Sequence, residues 1–237
     1  MRGLSQAVFS LLVLVSLVCG QNSPSGFSGS AVEEPENYAI TFARLMRYHD
    51  SGEYDREIRE VANSARDYLE SRFPNGVTNN AKLAAVFDID ETSLSNWDVM
   101  AFCGFCSYPV QLQLYKDGIY SLDHDPAIPP VLELYNFAKG KGIAVFFVTG
   151  RPESQRVMTE ANLREVGYSG WSRLYMQPDV PAGQTKPSAR MFKPKNRQEI
   201  EAAGYQIVLN IGDQASDLAG CCAVRTFKLP NPFYLLP

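Results

Sequence analysis

Apolar residues along this chain fall into two patterns: runs spaced for helices, and short continuous runs of the kind that buried strands carry. Residues 33–50 and 52–73 predict two helices; in the second, Ile58, Val61, Ala62, Ala65 and Leu69 recur at steps of three and four, lining one helical face. Pro74, Asn75 and Gly76 break that pattern. Residues 82–88 are then continuously apolar from Leu83 to Phe87, which predicts a short strand buried on both faces of a parallel sheet. The strand runs straight into two carboxylates, Asp88 and Asp90, and burying acids beside an apolar strand does nothing for stability.

Beyond this point helix and strand alternate. A helix over 126–141 is opened by prolines and stopped by Gly140 and Gly142; a strand over 143–148, a helix over 153–166 and a strand over 173–177 follow. Residues 199–204 end another helix, 206–211 form a fourth strand, 215–219 a short helix stopped by Gly220, and 224–229 a fifth strand. Alternation of this kind implies right-handed crossovers and an α/β fold with a doubly wound, Rossmann-like parallel sheet. Ligands bind such sheets beyond the carboxyl ends of the strands. That edge collects three segments distant in sequence: FDIDET at 87–92, FFVTGR at 146–151 and GDQASD at 212–217.

Composition narrows the setting. With 237 residues, 45% hydrophobic and 20% charged, the chain is an ordinary globular protein, expected as one domain over 31–237. Arg2, the apolar stretch 7–18 and Cys19-Gly20 read as a signal peptide over 1–20, followed by a flexible Gly/Ser/Pro-rich leader over 21–30. Acylation of Cys19 to give a lipid anchor would want Gly, Ala or Ser before it, and Val18 stands there, so simple export is the expectation. Extracellular, periplasmic and vacuolar destinations stay open, as do monomer and homodimer. The net charge of −4, with no Lys/Arg run interleaved with aromatics, gives no support to a nucleic-acid partner. No second apolar segment approaches membrane length.

Four cysteines follow the signal peptide, Cys103, Cys106, Cys221 and Cys222, and an oxidising compartment permits disulfides. The adjacent second pair lacks the spacer of a zinc knuckle. The topology sends Cys221 and Cys222 to the sheet end away from Cys103, beyond the roughly 7 Å that a bridge can span, so Cys103 to Cys106 is the one disulfide expected.

Phosphoryl transfer needs a nucleophile in line, a proton donor for the leaving oxygen, and positive charge or oriented dipoles around the phosphate. Asp88 and Asp90 divide the first two tasks as nucleophile and acid/base. Asp213 and Asp217 add oxygen ligands for a hard cation, best matched by Mg2+. Thr149 offers a hydroxyl, and the N–H groups of Gly150 and Arg151 are expected to open a helix that favours an anion. His49 and His124, the two histidines of the chain, are too few for a histidine-nucleophile phosphatase.

Together these segments resemble the haloacid dehalogenase-like superfamily, and more closely its secreted acid phosphatases, the group of plant acid phosphatases and vegetative storage proteins. The resemblance implies Asp88 as nucleophile, Asp90 as acid/base with its main-chain carbonyl also on Mg2+, and Thr149 from the second motif. It implies Asp213 and Asp217 as metal ligands from the fourth motif, and a lysine that holds phosphate. Lys186 and Lys193 are the candidates for that lysine. Lys193 is favoured by the aromatic before it and the helix after it, with Pro194 in place of the usual Ser and tolerable at a helix start.

Residues 93–125 are too short for a cap domain and suit a small helical flap, whose Trp97, Phe102, Phe105 and Tyr108 either select substrate or pack the flap onto the core. The function implied is an exported, Mg2+-dependent acid phosphatase that hydrolyses small phosphomonoesters through an aspartyl-phosphate. A storage or binding protein of the same fold with little turnover, and a nucleotidase or phosphotransferase of the same chemistry, are the alternatives.

Overall fold

A five-stranded sheet, parallel throughout, is built from β1 (Leu83–Phe87), β2 (Ala144–Pro152), β3 (Arg173–Gln177), β4 (Gln206–Gly212) and β5 (Thr226–Lys228) in the order β3-β2-β1-β4-β5. The computed structural model describes residues 36–78, 81–121, 124–181 and 183–236, and not the side chains of Tyr108, Pro109, Leu112 and Lys116. The expected signal peptide, the leader and Cys19 lie outside the described residues.

The apolar runs explain the layering. Successive strand residues point to opposite faces, so Ala85 and Phe87 join the larger core while Ala84 and Val86 join the smaller one. The larger core is closed by α2 (Glu53–Arg72), α5 (Pro129–Gly140) and α6 (Arg156–Glu165), which contribute Ile58, Leu134 and Leu163 among others. On the other face α7 (Ala189–Ala202) brings Phe192 and Ile200. With helices on both faces, the doubly wound arrangement expected from the sequence is present. The short helices α3 (Trp97–Phe102) and α4 (Tyr108–Lys116) lie in the segment expected as a flap.

Several boundaries move, each for a local reason. The first helix, α1 (Tyr38–Asp50), starts later than expected because Asn37 caps it: its side-chain oxygen accepts from Ala39 N at 2.9 Å. β2 does not stop at Val148 but continues to Pro152, which pairs with Gln177 after a register shift. The N–H groups of Gly150 and Arg151 therefore do not open a helix; a 3-10 turn at Glu153–Gln155 intervenes before α6. Pro194 is not at a helix start either, since α7 begins at Ala189 and holds Pro194 in its second turn. The missing N–H leaves the Arg190 carbonyl without its helical donor, which is tolerable because Arg190 is exposed to water.

The disulfide expectation is half corrected. Cys103 and Cys106 are bridged, and so are Cys221 and Cys222. Ala223 bridges to Ile207 at the start of β4, which places the second pair at the amino end of the sheet. Distance excludes a bridge from there to Cys103, but adjacency alone brings the two neighbouring thiols within reach of each other.

Gly212, the last residue of β4, is required by close approach. A β-carbon there would overlap the Asp217 side chain, with the carboxylate carbon only 2.7 Å away. Gly212→Ala is therefore expected to lower stability by about 2 kcal/mol through overpacking. Urea unfolding monitored by circular dichroism measures the change; a midpoint equal to the parent's would contradict the packing described.

Candidate active site

Main-chain pairing fixes the first acid. Asp88 follows β1, its N–H donating to Ile211 O at 3.1 Å and its carbonyl accepting from Ser93 Oγ at 2.7 Å. Because α7 leads into the amino end of β4, its first turns lie at the carboxyl edge, where Lys193 meets Asp88. The buried Lys193 Nζ donates to Asp88 Oδ1 at 2.7 Å and to Asp217 Oδ1 at 2.6 Å. Burial acts to lower the Lys193 pKa, but Asp88 and Asp217 outweigh it and hold the ammonium above its usual range. Burial and then Asp217 push the Asp88 carboxyl well above the carboxylate range, against the pull of Lys193.

Asp90 sits in a separate network. Arg151 Nε donates to Asp90 Oδ1 at 2.8 Å, and Arg151 Nη2 lies 2.7 Å from the same oxygen and 2.9 Å from Asp125 Oδ2. Asn96 Nδ2 adds a 3.0 Å bond to Asp90 Oδ1. Burial acts to raise Asp90, yet the charge and hydrogen bond of Arg151, with Asn96, bring its carboxyl below the usual range. Between the two networks Glu91 takes a left-handed φ of 50°, with its carboxylate accepting from Asn96 N at 2.6 Å and Asn96 Nδ2 at 3.1 Å. Burial, with Asp90 and Asp213 close by, pushes Glu91 up to about 8.

Asp88, Asp213 and Asp217 each place a carboxylate oxygen within 4.8 Å of the others, all three buried. Burial and the Asp217 charge raise Asp213 to about 6 despite hydrogen bonds from Asn231 and Gln214. Lys193 is the one cation among the described residues that contacts these carboxylates, so the cluster keeps an excess of buried negative charge. A compact set of hard oxygen donors with excess charge fits a small divalent cation. The Asp90 carboxylate lies outside this set. Asp217 is further fixed by its Oδ2, which accepts from Gln214 N at 2.7 Å, and by its carbonyl, which accepts from Arg197 Nη1 at 2.6 Å and Asn210 Nδ2 at 2.9 Å.

Residues 32–237 match the family described as the HAD superfamily, subfamily IIIB (acid phosphatase). The chain belongs to this family. It is 32% identical over 188 residues to "Acid phosphatase 1" of Solanum lycopersicum, covering 77% of this chain and 69% of that protein. To "Vegetative storage protein 1" of Arabidopsis thaliana it is 30% identical over 202 residues, covering 85% and 69%. "Stem 28 kDa glycoprotein" of Glycine max is 37% identical over 153 residues, or 64% of this chain, and the chain spans 59% of that protein's length. Among solved structures, the class C acid phosphatase from Bacillus anthracis superimposes with a TM-score of 0.62 at 22% identity, covering 83% of this chain and 86% of that one, and shares the fold.

In this subfamily IIIB chain the structure brings together Asp88, Lys193, Asp213 and Asp217, while Asp90 joins Arg151. Thr149 is fully buried in β2, and its Oγ1 accepts from Arg151 N at 3.0 Å, so that N–H is taken. Lys186, the other candidate lysine, lies on the exterior with Nζ donating to Gly150 O at 3.2 Å. Trp97 and Phe105 pack against each other and against Phe233, and the Trp97 ring stacks on His49 at 3.6 Å; Phe102 is 62% exposed, and the Tyr108 side chain lies outside the described residues. Among the described residues, no helix is long and apolar enough to cross a membrane.

Sequence reasoning missed the Arg151 side chain, Asp125, Asn96 and Asn231. For Arg151 a signal existed: an arginine at the end of a buried apolar strand needs anionic partners, and Asp90 was already placed at that edge. Removing this guanidinium leaves two carboxylates facing each other in a mostly dry site. Arg151→Met is expected to cost about 3 kcal/mol in urea unfolding, and Asp125→Asn added to it should restore part of the loss. Strictly additive effects of the two substitutions would show that Arg151 and Asp125 do not interact.

Proposed function

We propose that this protein is an exported, Mg2+-dependent acid phosphatase that hydrolyses small phosphomonoesters through an aspartyl-phosphate on Asp88. The observation that carries this reading is Lys193 clamped between Asp88 and Asp217 over a cluster of three buried acids at the carboxyl edge of the sheet. Family membership and the likeness to "Acid phosphatase 1" support it.

Asp88 Oδ1 is taken by Lys193, and no described residue donates to Oδ2, which makes Oδ2 the nucleophilic oxygen. It forms a bond to phosphorus while the bond from phosphorus to the ester oxygen breaks, and protonated Asp90 gives its proton to the departing alcohol. Asp90 then takes a proton from water as that water attacks the aspartyl-phosphate, releasing phosphate and restoring both acids. Lys193, the Thr149 hydroxyl hydrogen, the Gly150 N–H and the Arg151 Nη1, which is buried with no partner among the described residues, are donors for phosphoryl oxygens. Asp88, Asp213, Asp217 and the Asp90 main-chain carbonyl would hold Mg2+, which supplies positive charge to phosphate and to the crowded acids.

A storage protein with little turnover is the second reading, suggested by the likeness to "Vegetative storage protein 1". The presence of Asp88, Asp90, Thr149, Lys193 and Asp213 places it behind.

Purified protein is expected to hydrolyse a generic aryl phosphate with Mg2+ and to lose activity in chelator, and Asp88→Asn should lower kcat by about a thousandfold or more. An Asp88→Asn protein as active as the parent would sink the mechanism. The pH profile tests the proton donor. Arg151 keeps the Asp90 carboxyl below its usual range, so its protonated form becomes populated only as pH falls; without that charge it protonates at higher pH. The alkaline limb of kcat/KM should therefore move to higher pH in Arg151→Met, and an unmoved limb would detach Asp90 from proton donation.

A further inference from the structure

Residues 229–236 leave β5 at the carboxyl edge and pass beside the acidic cluster. Leu229 N donates to Gly212 O at 2.9 Å, pinning the start of the tail to the residue before Asp213. Asn231 Nδ2 then donates to Asp213 Oδ2 at 2.7 Å, and Gln214 Nε2 donates to the same oxygen at 2.7 Å. Both amides are themselves held by tail backbone. Asn231 Oδ1 accepts from Phe233 N at 2.8 Å, Gln214 Oε1 accepts from Leu236 N at 3.1 Å, and Gln214 Nε2 also reaches Tyr234 O at 3.3 Å. Phe233 anchors the segment, buried with its ring 5.0 Å from Tyr54 and 5.1 Å from Trp97.

A carboxylate oxygen has two acceptor positions. Two amide donors fill those of Asp213 Oδ2, whereas among the described residues Oδ1 accepts only the Thr92 hydroxyl, at 3.1 Å. The donors thus select Oδ1 as the oxygen with capacity for a cation and fix the plane of the carboxylate.

We propose that the C-terminal tail is part of the metal centre, with Asn231 as a positioning residue that orients Asp213 toward the cation. This rests on reading the acidic cluster as a Mg2+ site. Outer partners of ligating carboxylates commonly govern metal affinity by about ten- to a hundredfold, and here one is supplied from the chain end, where no local motif places it. If Asn231 served only to dock the tail, its loss would affect folding and leave cation affinity alone.

Titration calorimetry with Mg2+ on the substrate-free full chain separates these roles, alongside thermal unfolding in chelator. Asn231→Leu, which keeps the shape and removes the donor, should weaken Mg2+ binding by about tenfold with little change in the chelated protein's unfolding midpoint. Asn231→Ser, which keeps a shorter donor and stays closer to the parent's polarity, should lose less. Asp213→Asn should abolish binding. Parent-like Mg2+ affinity in Asn231→Leu, or in the equally donor-free Asn231→Ala should the leucine variant fail to fold, overturns the inference alone. A parent protein that binds no Mg2+ overturns the metal reading and this inference together.

Discussion

The acidic cluster at the carboxyl edge depends on one buried ammonium. Lys193 is 3% exposed and reaches acids from two separate elements, Asp88 after β1 and Asp217 in the short helix α8 (Ala215–Leu218). Without its charge, three carboxylates would be left in a low-dielectric pocket with no counterion in contact, a situation costing several kcal/mol. The contact in turn requires α7 to begin at the carboxyl edge, Gly212 to lack a side chain, and Arg197 to fold the loop after α8. Arg197, fully buried, spends its donors on the carbonyls of Asp217, Ala219 and Cys221.

The two acids of the first motif are driven in opposite directions by their surroundings. Asp88 is pushed up by burial and Asp217, and Asp90 is brought down by Arg151. Without a cation this order is the reverse of what the proposed tasks need, an ionised nucleophile and a protonated donor. A cation at the cluster would lower Asp88 toward its ionised form while leaving the Arg151 network, on the other side of the turn, in place.

Parts remote from the chemistry meet in an aromatic patch. His49 of α1, Tyr54 of α2, Trp97 of α3, Phe105 and Phe233 lie in ring contact. This joins the amino-terminal helices, the flap and the carboxyl-terminal tail directly behind Asp213 and Glu91. Rings here bury large apolar area and hold elements that carry little core of their own. Trp97 and Phe105 are committed to that packing, while Phe102 is exposed and touches the Tyr120 ring.

Local pattern was enough to determine the doubly wound sheet, the order of helices and strands, and the delivery of Asp88, Thr149 and Asp213 to one edge. Strand and helix periodicity, together with the rule that ligands lie beyond strand ends, act on neighbouring residues and can be read from them. Lys193 was singled out differently, by the resemblance of its segment to the family's third motif and not by periodicity. The partners of these groups were not legible. Arg151 pairs with Asp125, Asn231 with Asp213 and Arg197 with the loop carbonyls across loops whose path no local propensity specifies. The length of β2 past Val148 depends on Gln177 of a neighbouring strand. Sequence by itself determined that the strand-end groups Asp88, Thr149 and Asp213 reach the edge, because that follows from the chain's own periodicity. Only the tertiary structure decided which way each acid turns and what charge it feels, because hydrogen bonds and burial are set by whatever packs beside it.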